Sequence, residues 1–246
     1  MDNSLLVSLS QQLASYQSMD VIANNIANVS TPGYRREEQT FQEYVSEQKP
    51  MEGEARAKPV SFVQDAGIVR DLSEGPQLTT GNTYDLSLHG KGYFVVRTPA
   101  GERYTRDGHF GLDTNGQIVD DGGNPLQGDG GAISITTDDG EIHIGADGTV
   151  SGKNGQIAKL RVVTFASEKA LRKQGANLYA TSQAPATLTD FRITQGSLEG
   201  SNVQPVVEMS RMIDVMRAYQ ATATLAKSQE DLLRSAIEKL GQTPGS

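Results

Sequence analysis

The chain has 246 residues, a formal net charge of −8, no cysteine and no tryptophan. That length holds one large domain or two modest ones, and a low apolar share with abundant glycine supports one β-rich core with little left over. The charge excludes a nucleic-acid partner or an anionic membrane surface, and the missing cysteines exclude disulfides, thiolate metal sites and cysteine nucleophiles.

The cysteine count fits two settings equally, a cytosolic protein or an extracytoplasmic one built without disulfides. No apolar run is long enough to span a bilayer, so membrane insertion is not expected. The opening "MDNSLLVSLSQQ" is acidic and broken by Ser and Gln, unlike a cleavable signal peptide. The reading is a chain that stays in the cytoplasm or leaves it with its N-terminus intact.

Both ends read as helix. From Leu5 the positions Leu9, Gln12, Tyr16, Met19, Ala23 and Ile26 advance by threes and fours, only Gln12 being polar, which predicts an amphipathic helix over 4–28 with one narrow stripe. Asn24, Asn25 and Asn28 then crowd its end in "ANNIANVSTPGYRR". Their amides can satisfy the carbonyls a helix end leaves orphaned, or bond a neighbouring helix or subunit. Pro32 forbids continuation, and Gly33 permits a positive φ in the turn.

Residues 36–75 read as an extended connecting segment, with short edge-like strands in "VSFVQ" and "GIVRDL". From 76 to 202 the chain reads as an antiparallel β-rich domain. Strand-like runs such as "GYFVVR" and "AKLRVVTFA" alternate with Asp107-Gly108, Asn115-Gly116, Asp147-Gly148 and Asn154-Gly155, the dipeptides of type I′ hairpin turns. "LDTNGQIV" and "IGADGTVS" read as two hairpins sharing one turn chemistry. "SEKALRKQG" predicts a short helix capped by Ser167 and closed by Gly175.

The C-terminal segment predicts a long helix over 206–240 with two heptad series. One is Met212, Tyr219, Ala226, Leu233 and Leu240; the other is Met209, Met216, Ala223, Glu230 and Ile237. Glu230 is the flaw in that seam, with Lys227 and Arg234 placed to pair with it. Two narrow seams at opposite termini predict pairing of the N- and C-terminal helices as a coiled coil. The fold class is therefore α+β, with residues 1–35 and 203–246 as an assembly domain.

Positive signs of catalysis are missing. His89, His109 and His143 are scattered without a helical partner. "DTNGQIVDDGGN" lacks the carboxylate at its fifth position and the bidentate Glu at its twelfth that a calcium loop requires. No phosphate loop or GxSxG elbow occurs. The reading has no catalytic residue, metal ligand, cofactor or small-molecule substrate.

Three segments carry a resemblance. "ANNIANVSTPGYRR", "GKGYFVV…GERYTRDGHF" and "EGSNVQPVVEMSRMIDVMRAYQATATL" resemble, in order, the N-terminal, central and C-terminal signatures of the bacterial flagellar rod and hook protein family. The two ends are most similar to proximal-rod members, with distal-rod members close behind. The resemblance implies a structural subunit of the basal-body rod that stacks helically with copies of itself and other rod proteins. It also implies passage through the flagellar type III export apparatus without a cleaved signal, into a rod crossing the periplasm.

It further implies subunit-interface roles for Leu5, Leu9, Tyr16, Met19, Asn24, Asn25, Ile26, Asn28, Pro32 and Gly33 near the N-terminus. Towards the C-terminus these roles fall to Ser201, Asn202, Val203, Met209, Met212, Met216, Arg217, Tyr219, Leu233 and Ile237. Tyr219 is a seam position whose packing alone could require it, whereas Arg217 points elsewhere and suits a polar contact between subunits. Narrow seams return little burial against backbone entropy, so both termini are expected to order on assembly. The rival reading is a soluble coiled-coil protein whose β-domain binds a ligand.

Overall fold

A computed structural model of the chain describes residues 2–47, 59–175 and 177–241. They form two compact units: residues 1–27, 37–69 and 204–246 in one, 28–36 and 70–203 in the other. The class is α+β, two terminal helices and a β-rich middle.

The first unit holds helix α1 (Asp2–Ala27), helix α2 (Pro205–Gly241) and strands β1 (Glu37–Glu47) and β2 (Pro59–Arg70), which pair as a two-stranded ribbon. Pro205 opens α2 at the first helical position, where its missing N–H costs nothing. The two expected edge strands are one continuous twelve-residue strand, and its partner is the polar run after Arg36. The two helices contact each other.

The second unit is built on a six-stranded antiparallel sheet. Its strands lie in the order Arg172–Lys173, Leu178–Ala180, Gly101–Thr105, Tyr93–Thr98, Val162–Thr164, Ala186–Thr187. The strand Tyr93–Thr98 shows why the sheet needs cover on both faces. Phe94 and Val96 join the main cluster with Leu86, Ile118 and Leu126, while Tyr93 and Val95 join a second with Tyr104, Phe165 and Tyr179. Successive side chains alternate faces, so a strand apolar at four consecutive positions is buried twice. Phe94 meets Phe110 edge to face at 5.5 Å, and Tyr104 meets Phe165 at 4.7 Å. Burial and the Glu168 carboxylate that accepts its hydroxyl proton hold the Tyr93 phenol far above the ordinary tyrosine range.

The turns share one chemistry. In 113–117 the Gly116 N–H donates to Asp113 O and the Asp113 N–H to Gln117 O; in 145–149 the same pair joins Gly148 to Gly145 and Gly145 to Thr149. Residues 120–124 repeat it with Gly123. Each is a type I turn closed by a left-handed glycine, at φ +76°, +81° and +74°. Type I′ needs two consecutive positive φ values, and among the described non-glycine residues only Asn177 has one. The dipeptides thus mark turns of a different type. At Asp107-Gly108 the glycine has no positive φ; a Cβ there would strike the Leu86 carbonyl, and its own carbonyl accepts the Leu86 N–H at 2.9 Å. The expected helix at Ser167 is a single 3-10 turn, Glu168–Ala170, without a side-chain cap.

Candidate assembly surfaces

Among the described residues of the helix unit, three of the four that are fully buried, Ser8, Asn25 and Glu208, are polar, and Ile22 is the fourth. Asn25 is wholly buried. Its amide donates to Glu37 O at 2.7 Å, and its Oδ1 accepts the Glu37 N–H at 2.9 Å. The same amide nitrogen donates to Glu208 Oε2 at 3.1 Å. One side chain therefore completes the first residue of β1 as a strand neighbour would, and holds α2 as well. Glu208 is 1% exposed, and its other oxygen accepts from Arg211 at 3.1 Å. Of the two roles expected for these asparagines, Asn25 takes the bond to a neighbouring helix, and it holds β1 as well. The Asn28 side-chain oxygen accepts a hydrogen bond from the Thr31 hydroxyl at 3.2 Å in the turn after α1, while Asn24 is exposed.

Along α2 the positions Glu208, Met212, Val215, Tyr219, Thr222, Ala226, Gln229 and Leu233 are buried or half-buried, in alternating steps of four and three, and Ala223 of the expected second series is half-buried beside them. Met212, Tyr219, Ala226 and Leu233 are the expected first series; the side chain of Leu240 lies outside the described residues. The second series sits one residue earlier than expected, on Glu208, Val215, Thr222 and Gln229. Glu230 is thus out of the seam and pairs loosely with Arg234 at 3.9 Å, both mostly exposed. On α1 the inward positions include Ser8, Ser15, Ile22 and Asn25.

The apolar stripes face outward. Leu6, Leu9, Leu13 and Tyr16 are each about half exposed, and so are Met209, Ile213 and Met216 beside the more exposed Val206. Each set advances three, four, three. At roughly 100° per residue, the first lies opposite the Ser8–Ser15–Ile22 face. Met19 and Ile26 are half-buried, Arg217 and Ile237 exposed. The side chain of Leu5 lies outside the described residues.

In the β-rich unit a second polar joint brings together segments far apart in sequence. Gly33, at φ +67°, donates its N–H to Glu199 O at 2.7 Å, and a Cβ there would strike the Arg106 backbone. Pro32 O accepts the Asn177 amide at 3.1 Å. Asn202 accepts the Arg36 N–H at 2.6 Å and donates to Asp71 O and Ser73 O, both at 3.0 Å. The Asp71 carboxyl is held below its ordinary value by the Ser73 N–H. Ser201 and Val203 are buried beside it.

Beneath lies a buried charge triad. The Glu199 carboxylate sits 2.8 Å from Arg35 and 3.1 Å from Arg106, all three under 7% exposed. Arg35 also donates to Leu72 O and Ser73 O, and Arg106 to Gly92 O. Burial pulls the Arg106 pKa down while Glu199 supports its charge. Removing one member of such a group strands the others, at a cost of about 3–5 kcal/mol. Sequence reading missed this triad, since its members are 71 and 93 residues apart from Arg106. The doublet "YRR" and the glutamate before "GSNV" were its visible trace.

Three family models match the chain: a flagella basal body rod protein model over residues 6–35, a flagellar hook protein FlgE/F/G D1 domain over 87–152, and a flagellar basal body rod FlgEFG protein C-terminal model over 194–239. The flagellar basal-body rod protein FlgF of Caulobacter vibrioides is 40% identical over 98% of this chain and 99% of its own length. The chain belongs to the flagellar basal-body rod protein family. FlgF of Mesorhizobium japonicum is 34% identical with the same coverage, and FlgG of Bacillus subtilis is 33% identical over 89% of this chain and 92% of its own. The family's terminal models fall on α1 with its turn and on α2 with the residues before it. They contain Asn25, Arg35, Glu199 and Glu208, but not Glu37 or Arg106. No helix among the described residues is long and apolar enough to cross a membrane.

Proposed function

We propose that this protein is a structural, non-enzymatic subunit of the proximal part of the flagellar basal-body rod. It self-assembles helically through α1 and α2, pairs with other rod proteins and transmits torque for swimming. The helices form a coiled-coil assembly layer. The chain travels through the flagellar type III export apparatus with its N-terminus intact, and the rod it joins crosses the periplasm. Coverage near full length on the relatives named FlgF supports the proximal position over the distal one.

One observation carries the assembly reading: besides the apolar residues in the seam, both terminal helices leave a further apolar stripe exposed. Contiguous exposed apolar surface of this kind marks a protein interface. Leu9, Tyr16, Met209, Met216 and Ile237 are the contact residues on this reading, and their burial by neighbouring subunits completes the order of the termini. The test is sedimentation and electron microscopy of the wild-type chain beside Leu9→Glu and Met216→Glu. The wild type is expected to form rod-like assemblies on concentration, and both variants to stay monomeric with an unchanged β-domain melt. Assembly by both variants at the wild-type concentration would sink the reading.

A further inference from the structure

Between α1, β1 and α2 lies a groove of about 270 Å³. Val21, Ile22 and Val215 give it an apolar floor, and Glu37, Glu38 and Asp214 line it as acids. The buried Glu208, its two oxygens held by Asn25 and Arg211, also borders it, and Arg211 is the base among its described lining residues. Gln39 also lines it; its amide donates to Gln17 at 3.1 Å, and its buried carbonyl oxygen has no hydrogen-bond partner. An apolar floor, an excess of carboxylates and a spare acceptor match a long cationic side chain, whose methylenes lie on the floor while its head group meets the acids.

We infer that this groove receives Arg217 from a second copy of the chain; the inference rests on the self-assembly proposed above. Arg217 is exposed. Five residues beyond Met212, at roughly 100° per residue, it projects from the side of α2 opposite the half-buried seam. It also borders the exposed stripe Val206–Met209–Ile213–Met216, so a neighbour covering that stripe is brought against Arg217. Arginine suits the role because its planar head can bridge two carboxylates. Donor and receiver are different surfaces of one chain, so the contact is head-to-tail and propagates into an open helical stack rather than closing a dimer.

The cysteine-free sequence makes the test direct. Chains carrying Glu38→Cys and Arg217→Cys are mixed under assembly conditions and treated with a short bis-maleimide. Cross-linked dimer is expected from the mixture, and from neither chain alone. In parallel, Arg217→Glu is expected to raise the concentration needed for assembly about tenfold or more, and adding Asp214→Arg to restore it. Lys227→Glu makes the same charge change elsewhere on α2 and is expected to do less. If the wild type assembles but no 38–217 cross-link forms, or Arg217→Glu assembles normally, this contact is wrong and the rod reading stands. If the wild type never assembles, the rod reading itself falls and takes the contact with it.

Discussion

The two units of this chain treat apolar surface in opposite ways. The β-rich unit buries Phe94, Val95, Val96 and Ile118 almost completely and leaves most of its charge outside. The helix unit buries Asn25, Glu208 and Ser8 and leaves Leu6, Leu13, Met209 and Leu232 in solvent. A unit that has spent its apolar residues on its own core is finished as a monomer. A unit that holds them outward is finished by something else. Polar seams give geometry at little net stability, whereas apolar burial gives stability with little geometry. Here the first fixes how α1, β1 and α2 meet, and on the proposed reading the second is left for neighbouring subunits.

The sharpest way to break this contrast is a matched pair of truncations. Phe94→Ala is expected to cost about 3–5 kcal/mol in denaturant melts of the β-rich unit. Leu13→Ala in the isolated chain is expected to change stability by no more than about 0.5 kcal/mol, as at an exposed site. Equal losses would mean that the outward stripe is already covered in the monomer. Next in size is Asn25→Ala, which leaves the Glu37 backbone and the Glu208 carboxylate short of partners. It should lower the stability of the helix unit by about 1–3 kcal/mol, read as faster amide exchange in α1 and α2, and leave the β-rich unit unmoved.

The smallest effect concerns pH. Burial raises the Asp107 carboxyl above its ordinary value, with the charge of Asp121 adding to it and bonds from His109 and Asn177 opposing it. A carboxyl that binds its proton more tightly folded than unfolded adds stability at low pH. That contribution is lost as pH rises through the folded value. Asp107→Asn should therefore be more stable than wild type near neutral pH, the gap closing as pH falls towards 4. A gap that widens on acidification would reverse the sign assigned to this group.

The class, both helices and the hairpin positions were legible because they rest on local rules, namely periodicity and the glycine that closes a tight turn. Half of the α2 seam was legible too. Met212, Tyr219, Ala226 and Leu233 are apolar or aromatic and inward. The other half was not, because a seam is read from apolar residues, and three of its four inward positions, Glu208, Thr222 and Gln229, are polar, with only Val215 apolar. The apolar residues one step away, Met209 and Met216, took their place in the reading. Asn25 was singled out, but its partners Glu37 and Glu208 could not be, since nothing local ties residues 12 and 183 apart. The triad of Arg35, Arg106 and Glu199 was hidden for the same reason. Buried charges leave no periodic signature.

The bond from Asn25 to Glu208 also sets an order of events. It joins two residues 183 positions apart. A chain that emerges N-terminus first carries α1 out with neither its polar latch nor its partner helix. It must wait for nearly the whole sequence to follow. Closing so long a loop is slow, and it succeeds more readily once the intervening β-rich unit has folded and shortened the path between its ends. The first helix made is therefore among the last parts to be fastened.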